Sequence, residues 1–261
     1  MTSSTVLNAL IATAIAGFGA TALGAVPAVF LNRLNEKLNN NMLSFAAGVM
    51  LAATVFSLLL PSIDIAVNAG NSRLSAISQA VLFLFIGGFV LWAINEVVPH
   101  EHFEKGIDTS ADPGKLKKIW LFVIAIAIHN FPEGLAVGVA SASGEPGAGL
   151  AATLGIAMQN VPEGLSVAVA LYSQGYSKRY AIGVTALTGL VEIFGGLFGV
   201  SILLISAIVL PWALAFAAGA MLFIVSHEII PETHRPGLEN GATASLFGGF
   251  GLMMVLDALL K

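Results

Sequence analysis

The sequence predicts an all-α polytopic membrane protein: eight transmembrane helices in an inverted-repeat bundle, with a metal site between the fourth and fifth. Three observations lead there. Of 261 residues, 57% are hydrophobic and only 10% charged, where a soluble domain carries about a quarter charged. A water-exposed surface this apolar would aggregate. Eight segments reach the roughly 20 mostly apolar residues that a helix needs to cross the hydrocarbon. Finally, one polar motif occurs twice, in consecutive spans, which is the mark of inverted repeats with a site near the midplane.

The spans read 5–31, 42–62, 75–98, 117–141, 147–172, 179–206, 211–231 and 242–260, within one transmembrane domain covering 1–261. Short polar connections separate them. The longest, 99–116, holds His100, Glu101, His102, Glu104, Lys105, Asp108, Asp112 and Lys115. The sixth and seventh spans are parted only by Pro211, because proline cannot continue a helical ladder. Seven spans, one of them very long, is the competing count.

Alternating the connections between two sides places Arg33, Lys37, Lys105, Lys115, Lys117, Lys118, Lys178, Arg179 and Arg235 on one, against Arg73 and Lys261 on the other. Cytoplasmic loops carry the excess of Lys and Arg, so an even count puts both termini outside the cytoplasm. No Lys or Arg precedes the first apolar run, which therefore reads as a membrane helix and not a cleavable signal. Without cysteine neither disulfides nor thiolate metal sites arise. No basic stripe interleaved with aromatics points to nucleic acid. Gly195 and Gly199 are the small residues that close helix packing favours, in a compact bundle or a homodimer.

Residues 128–140 read IHNFPEGLAVGVA and residues 158–170 read MQNVPEGLSVAVA, with eight of thirteen positions identical at an offset of 30. His129 and Asn130 precede Glu133 by four and three residues and share its helix face. Gln159, Asn160 and Glu163 repeat the pattern. If the faces meet, two carboxylates, an imidazole and three amide oxygens surround a small volume. Such a set suits Zn²⁺, Fe²⁺, Mn²⁺ or Co²⁺ and not a soft metal. Pro132 and Pro162 leave the carbonyls of Ile128 and Met158 without a donor, tolerable at membrane depth only beside protein or a hydrated cavity. Gly134 and Gly164 loosen the same turn. Glu192, deep in the sixth span, costs about 2.5–3.5 kcal/mol to insert and is expected to face the same cavity and complete a second metal position. Taken singly, a mid-span proline is ordinarily a kink, and Asn or Gln ordinarily glues helices together. Three intramembrane Glu, one His and a duplicated Pro-Glu-Gly are too costly for that.

HNFPEG at 129–134 followed by QNVPEG at 159–164 resembles the paired signature of the ZIP (Zrt/Irt-like) metal transporters, in their bacterial GufA-like branch. SHEIIPETH at 226–234 and PSID at 61–64 are similar to that branch as well. The resemblance runs along nearly the whole chain. It implies a fold whose first three and last three spans are related by pseudo-two-fold symmetry, around a binuclear centre. His129, Glu133, Gln159 and Glu163 would hold one ion, with Met50 close by. Asn130, Glu133, Asn160, Glu163 and Glu192 would hold the other. Some members carry Asp at the position of Asn160, so Asn here lowers the site's charge.

The implied function is transport of divalent transition-metal ions into the cytoplasm by alternating access, at a bacterial inner membrane. The substrate is Zn²⁺ first, then Cd²⁺, Fe²⁺, Mn²⁺ or Co²⁺; no enzyme activity and no organic cofactor are implied. Ser57 and Asp64 would receive ions outside, unless Asp64 is simply a solvated helix end. His227 and Glu228 would lie on the way in. His100, His102 and His234 read equally as solvated histidines or as a release cluster. Asp257, in the last span, should be buried and paired. Two rivals remain at this stage. A proton or monovalent-cation relay would use the same carboxylates strung out along the path. A zinc hydrolase would need H-E-x-x-H, but His227-Glu228 is followed by Pro231 where the second His belongs.

Overall fold

The computed structural model describes residues 3–30, 35–97, 113–144, 146–173 and 175–260. These form eight long helices: α1 Ser4–Ala28, α2 Glu36–Asn68, α3 Arg73–Val97, α4 Pro113–Ala142, α5 Pro146–Ser173, α6 Lys178–Ile205, α7 Leu210–Thr233 and α8 Glu239–Leu260. Among the described residues, seven of them are long and apolar enough to cross a membrane by length and composition alone, and α4, with 30 residues, completes the set. Eight long helices are present, where a seven-span count would have fused the sixth and seventh. Helix α6 stops where Ser206 turns extended (φ −157°, ψ 115°), and a short 3₁₀ turn at Ala207–Val209 leads into α7.

Local chemistry sets the edges. Asn35 caps α2 by accepting the backbone N–H groups of Lys37 and Leu38, satisfying donors that a helix start leaves orphaned. This draws the polar run 36–41 into the helix, so α2 begins six residues before the apolar pattern does. Its 33 residues span about 50 Å at 1.5 Å each, more than the hydrocarbon thickness. Ser177 caps α6 through the N–H of Tyr180. Helices α1, α2 and α7 each contain a π-helical turn, at Ile15–Gly19, Ala53–Leu59 and Val225–Ile229. Pro61 and Pro231 follow the latter two and deny Ser57 and His227 their i+4 donor, which favours a widened turn.

The packing is doubly symmetric. The backbone of α4 lies on α6 and that of α5 on α1, while α2 lies on α8 and α3 on α7. Each pair interlocks through two glycines seated on the partner's carbonyls. Gly134 sits on Glu192 and Gly195 on Phe131; Gly164 sits on Thr21 and Gly24 on Val161. Gly48 sits on Leu246 and Gly249 on Phe45; Gly87 sits on Phe216 and Gly219 on Leu84. The glycines of the Pro-Glu-Gly motifs are thus closely packed seats, where the sequence reading expected a loosened turn. A second repeat now becomes visible: FAAGVML at 45–51 in α2 and FAAGAML at 216–222 in α7.

Burial differs sharply among the helices. The central helix α5 has 78% of its apolar window buried, against 17% for α3 and for α8. The outer helices present Phe85, Phe89, Trp92, Phe247 and Leu259 to their surroundings, as a lipid-facing shell does. Asp257, at 6% exposure, accepts the Ser57 hydroxyl at 2.8 Å across α8 and α2, which supplies the partner the sequence left open. Removing one member of a buried hydrogen-bonded pair costs about 1–3 kcal/mol. Ser57→Ala is therefore expected to lower thermal stability in detergent by that amount, read by unfolding monitored through tryptophan fluorescence.

Candidate metal centre

Helices α4 and α5 each continue through their internal proline, and the residues just before it face inward. His129, Asn130, Glu133, Gln159, Asn160, Glu163 and Glu192 are all buried, Glu133, Gln159 and Glu192 completely. Glu133 is an electrostatic neighbour of both Glu163 and Glu192, and Gln159 faces it. Glu163 neighbours His129, and Glu192 neighbours Glu163 and Asn160. The structure thus brings the two motif copies and Glu192 together.

Many oxygens here lack protein partners. Both carboxylate oxygens of Glu133, Oδ1 of Asn130, Oε1 of Gln159, Oδ1 of Asn160 and Oε2 of Glu192 are buried without a hydrogen-bond donor among the described residues. The Gln159 contact to Glu133 falls short of hydrogen-bond geometry. Buried polar atoms are normally paired, and buried carboxylates are normally neutralised. No described Lys or Arg reaches these three Glu. Such a cluster is suited to a cation. Its groups do not close tightly on one point: among the described residues no three His, Asp or Glu stand together as a metal-holding group. Amide oxygens must complete any coordination sphere.

The amides are held from behind. Asn130 donates through Nδ2 to the Thr188 carbonyl of α6 at 3.0 Å. Asn160 donates through Nδ2 to the Ala16 carbonyl of α1 at 2.7 Å and to Glu192 Oε1 at 2.6 Å. With Nδ2 of each amide engaged in these bonds, both side chains keep Oδ1 without a donor.

The remaining predicted residues divide. Glu228, expected along the inner path, reaches the cluster itself: its Oε2 lies 3.0 Å from His129 Nε2, a carboxylate that orients the ring. His227, on the same turn, is exposed and stacks on Phe223 with ring centroids 4.8 Å apart. His234 accepts or donates locally, 3.1 Å from the Ile230 carbonyl and 3.2 Å from the Thr233 hydroxyl, as a helix-end residue. Asp64 is exposed near the end of α2. Ser57 is buried on Asp257. Met50 is wholly buried in the main apolar cluster. His100 and His102 lie outside the described residues.

One residue was missed. Asn95 of α3 lines a small cavity with His129 and Glu228, and its Oδ1 is buried without a donor. That cavity has room for about one water (≈ 10 Å³) and is otherwise walled by Leu91, Ile94, Ile128 and Phe223. In the sequence Asn95 sits beside Glu96 near the end of a span, where a polar residue reads as a solvated helix terminus.

Comparison with known proteins bears on the family of the chain. The profile of the ZIP Zinc transporter family matches residues 114–257. Zinc transporter GufA of Myxococcus xanthus is 43% identical over 251 residues, covering 96% of this chain and 98% of that protein. Zinc transporter ZIPB of Bordetella bronchiseptica is 44% identical over 245 residues, covering 94% and 79%. Zinc transporter ZIP11 of Homo sapiens is 30% identical over 336 aligned positions, covering 97% of each. A repeated Pro-Glu-Gly pair buried in an eight-helix membrane bundle and full-length similarity to three such transporters lead to one conclusion: this chain belongs to the ZIP zinc transporter family.

Proposed function

We propose that this protein carries divalent transition-metal ions, zinc foremost, across a bilayer through two adjoining ion positions between α4 and α5. The observation that carries the reading is the set of unpartnered buried oxygens on the two copies of one motif. His129, Glu133, Gln159 and Glu163, with Met50 nearby, form the first position. Asn130, Glu133, Asn160, Glu163 and Glu192 form the second, with the two motif carboxylates bridging. Cd²⁺, Fe²⁺, Mn²⁺ and Co²⁺ accept similar nitrogen and oxygen ligands. Nine basic residues against two support both termini outside the cytoplasm and uptake inward, at the inner membrane of a bacterial cell, with the whole chain as one domain. A proton relay fits less well, because its groups would be strung along the path, whereas Glu133, Glu163 and Glu192 neighbour one another.

The test is uptake of radioactive zinc into proteoliposomes holding the purified protein. Saturable uptake above empty vesicles is expected, and its absence with zinc, cadmium, iron, manganese and cobalt alike would sink the reading. Coordinating His and carboxylate groups must shed their protons, so protons compete with metal. Apparent zinc affinity is therefore expected to weaken as external pH is lowered from 7 toward 5, at unchanged protein content. Affinity that rises on acidification would contradict these ligands.

A further inference from the structure

Helix α1 carries no residue of the paired motif, yet it touches the centre more closely than its sequence suggests. The N–H of Ala20 bonds to the carbonyls of Ile15 and Gly17, bypassing that of Ala16. The Ala16 carbonyl instead accepts Asn160 Nδ2 at 2.7 Å. Next to it, a Cβ added to Gly17 would stand 2.6 Å from Cβ and 2.9 Å from Cδ of Glu192. Real atoms do not approach so closely, so Glu192 occupies the space a side chain at 17 would need.

The internal symmetry explains why a widened turn is required. Gly134 rests on the carbonyl of Glu192, and its counterpart Gly164 rests on that of Thr21. In α6 the carbonyl that holds Asn130 belongs to Thr188, four residues before Glu192. In α1 the carbonyl that holds Asn160 belongs to Ala16, five residues before Thr21. The π-turn supplies the extra residue. Symmetry also pairs Glu192 with Thr21, whose buried hydroxyl has no hydrogen-bond partner among the described residues. At this symmetric pair α6 therefore offers a carboxylate where α1 offers only a hydroxyl, and the α1 turn contributes through the Ala16 carbonyl instead.

We propose that the π-turn Ile15–Gly19, with glycine at 17, positions Asn160 and Glu192 as oxygen donors to the second ion. Gly17 is a positioning residue and touches no ion itself. The Ala16 carbonyl and Glu192 Oε1 are both acceptors, so the amide of Asn160 must present its NH₂ to them and its oxygen to the centre. Glu192, tied through Oε1, keeps Oε2 for the ion. Groups that orient ligands in this way are worth about 10–100-fold in metal affinity. The inference rests on the two-position reading above.

The experiment counts ions instead of measuring flux. Full-length protein in lipid nanodiscs is dialysed against buffered Zn²⁺, and bound metal is measured by elemental analysis across a titration. The unaltered protein is expected to take up two ions. Gly17→Ala is expected to take up the first with affinity within about threefold and the second at least about tenfold more weakly. Gly19→Ala lies in the same turn, where a Cβ meets only the Ala14 carbonyl at 3.4 Å, and should retain both. A filled first position certifies that Gly17→Ala is folded. Should that variant not fold, Gly189→Ala repeats the comparison from the other side, since its Cβ would press on Gly17, Phe18 and Thr21 at 3.0 Å. Two ions bound normally by the variant overturn the proposal alone. Fewer than two bound by the unaltered protein overturn the two-position reading beneath it.

Discussion

Glu133→Ala and Glu163→Ala are each expected to reduce zinc uptake in proteoliposomes to below about a hundredth of the unaltered rate, beyond the range that orienting groups command. Glu133 is the sharper case. It is completely buried, both of its oxygens lack donors, and it neighbours Glu163, Glu192 and Gln159 together. Alanine there removes a group that either ion position would share. Burying a carboxylate without a partner is costly, so the variant should elute intact on gel filtration and unfold no earlier than the parent. Loss of transport with retained stability is the signature of a ligand. Loss of both would mean that Glu133 holds helices together, and uptake at the parental rate would remove it from the centre.

The second large effect concerns backbone contact. A Cβ at Gly134 would fall on the Glu192 carbonyl oxygen and 2.5 Å from that residue's carbonyl carbon and Cα. No rotamer change relieves a clash with main chain, so α4 and α6 must separate. Overpacking a well-filled interior costs about 1–3 kcal/mol, occasionally more, and rigid backbone places Gly134→Val at the upper end. The variant should lose about 3 kcal/mol or more in thermal unfolding, together with metal binding, because Glu192 moves with its own backbone. Gly183→Val, on the same α6, has open space around its Cβ and should behave as the parent. Equal stability of the two variants would refute the seat.

Much of this molecule was legible in its sequence because two strong constraints act on it. Hydrocarbon demands long apolar helices, and the observed ends fall within a few residues of the expected ones in most spans. The largest departure is α2, where the Asn35 cap extends the helix through polar residues that apolarity cannot register. The duplicated Pro-Glu-Gly exposed the centre because charge inside a membrane is rare enough to be informative. What stayed hidden used ordinary residues. The FAAG repeat of α2 and α7 is apolar and lies 171 positions apart, so it merges into its background. The Ala16 and Thr188 carbonyls have no side-chain signature at all. Glu228 was placed on the path but not at the cluster, since α4 and α7 meet through tertiary packing that no local spacing encodes.

The paired glycine seats carry a mechanical consequence. A seat works like a tooth in a notch: one helix cannot slide along its partner without climbing out, and the next fit lies about one turn, 5.4 Å, away. Such teeth join α4 to α6, α5 to α1, α2 to α8 and α3 to α7. Where α5 runs past α8, Gly155 meets instead the flexible end of Met253, and between α5 and α2 the Ser166 hydroxyl donates to Asn39 Oδ1 at 2.6 Å. Axial register is thus ratcheted within each pair, while contacts of the second kind can shear through side-chain rotation alone.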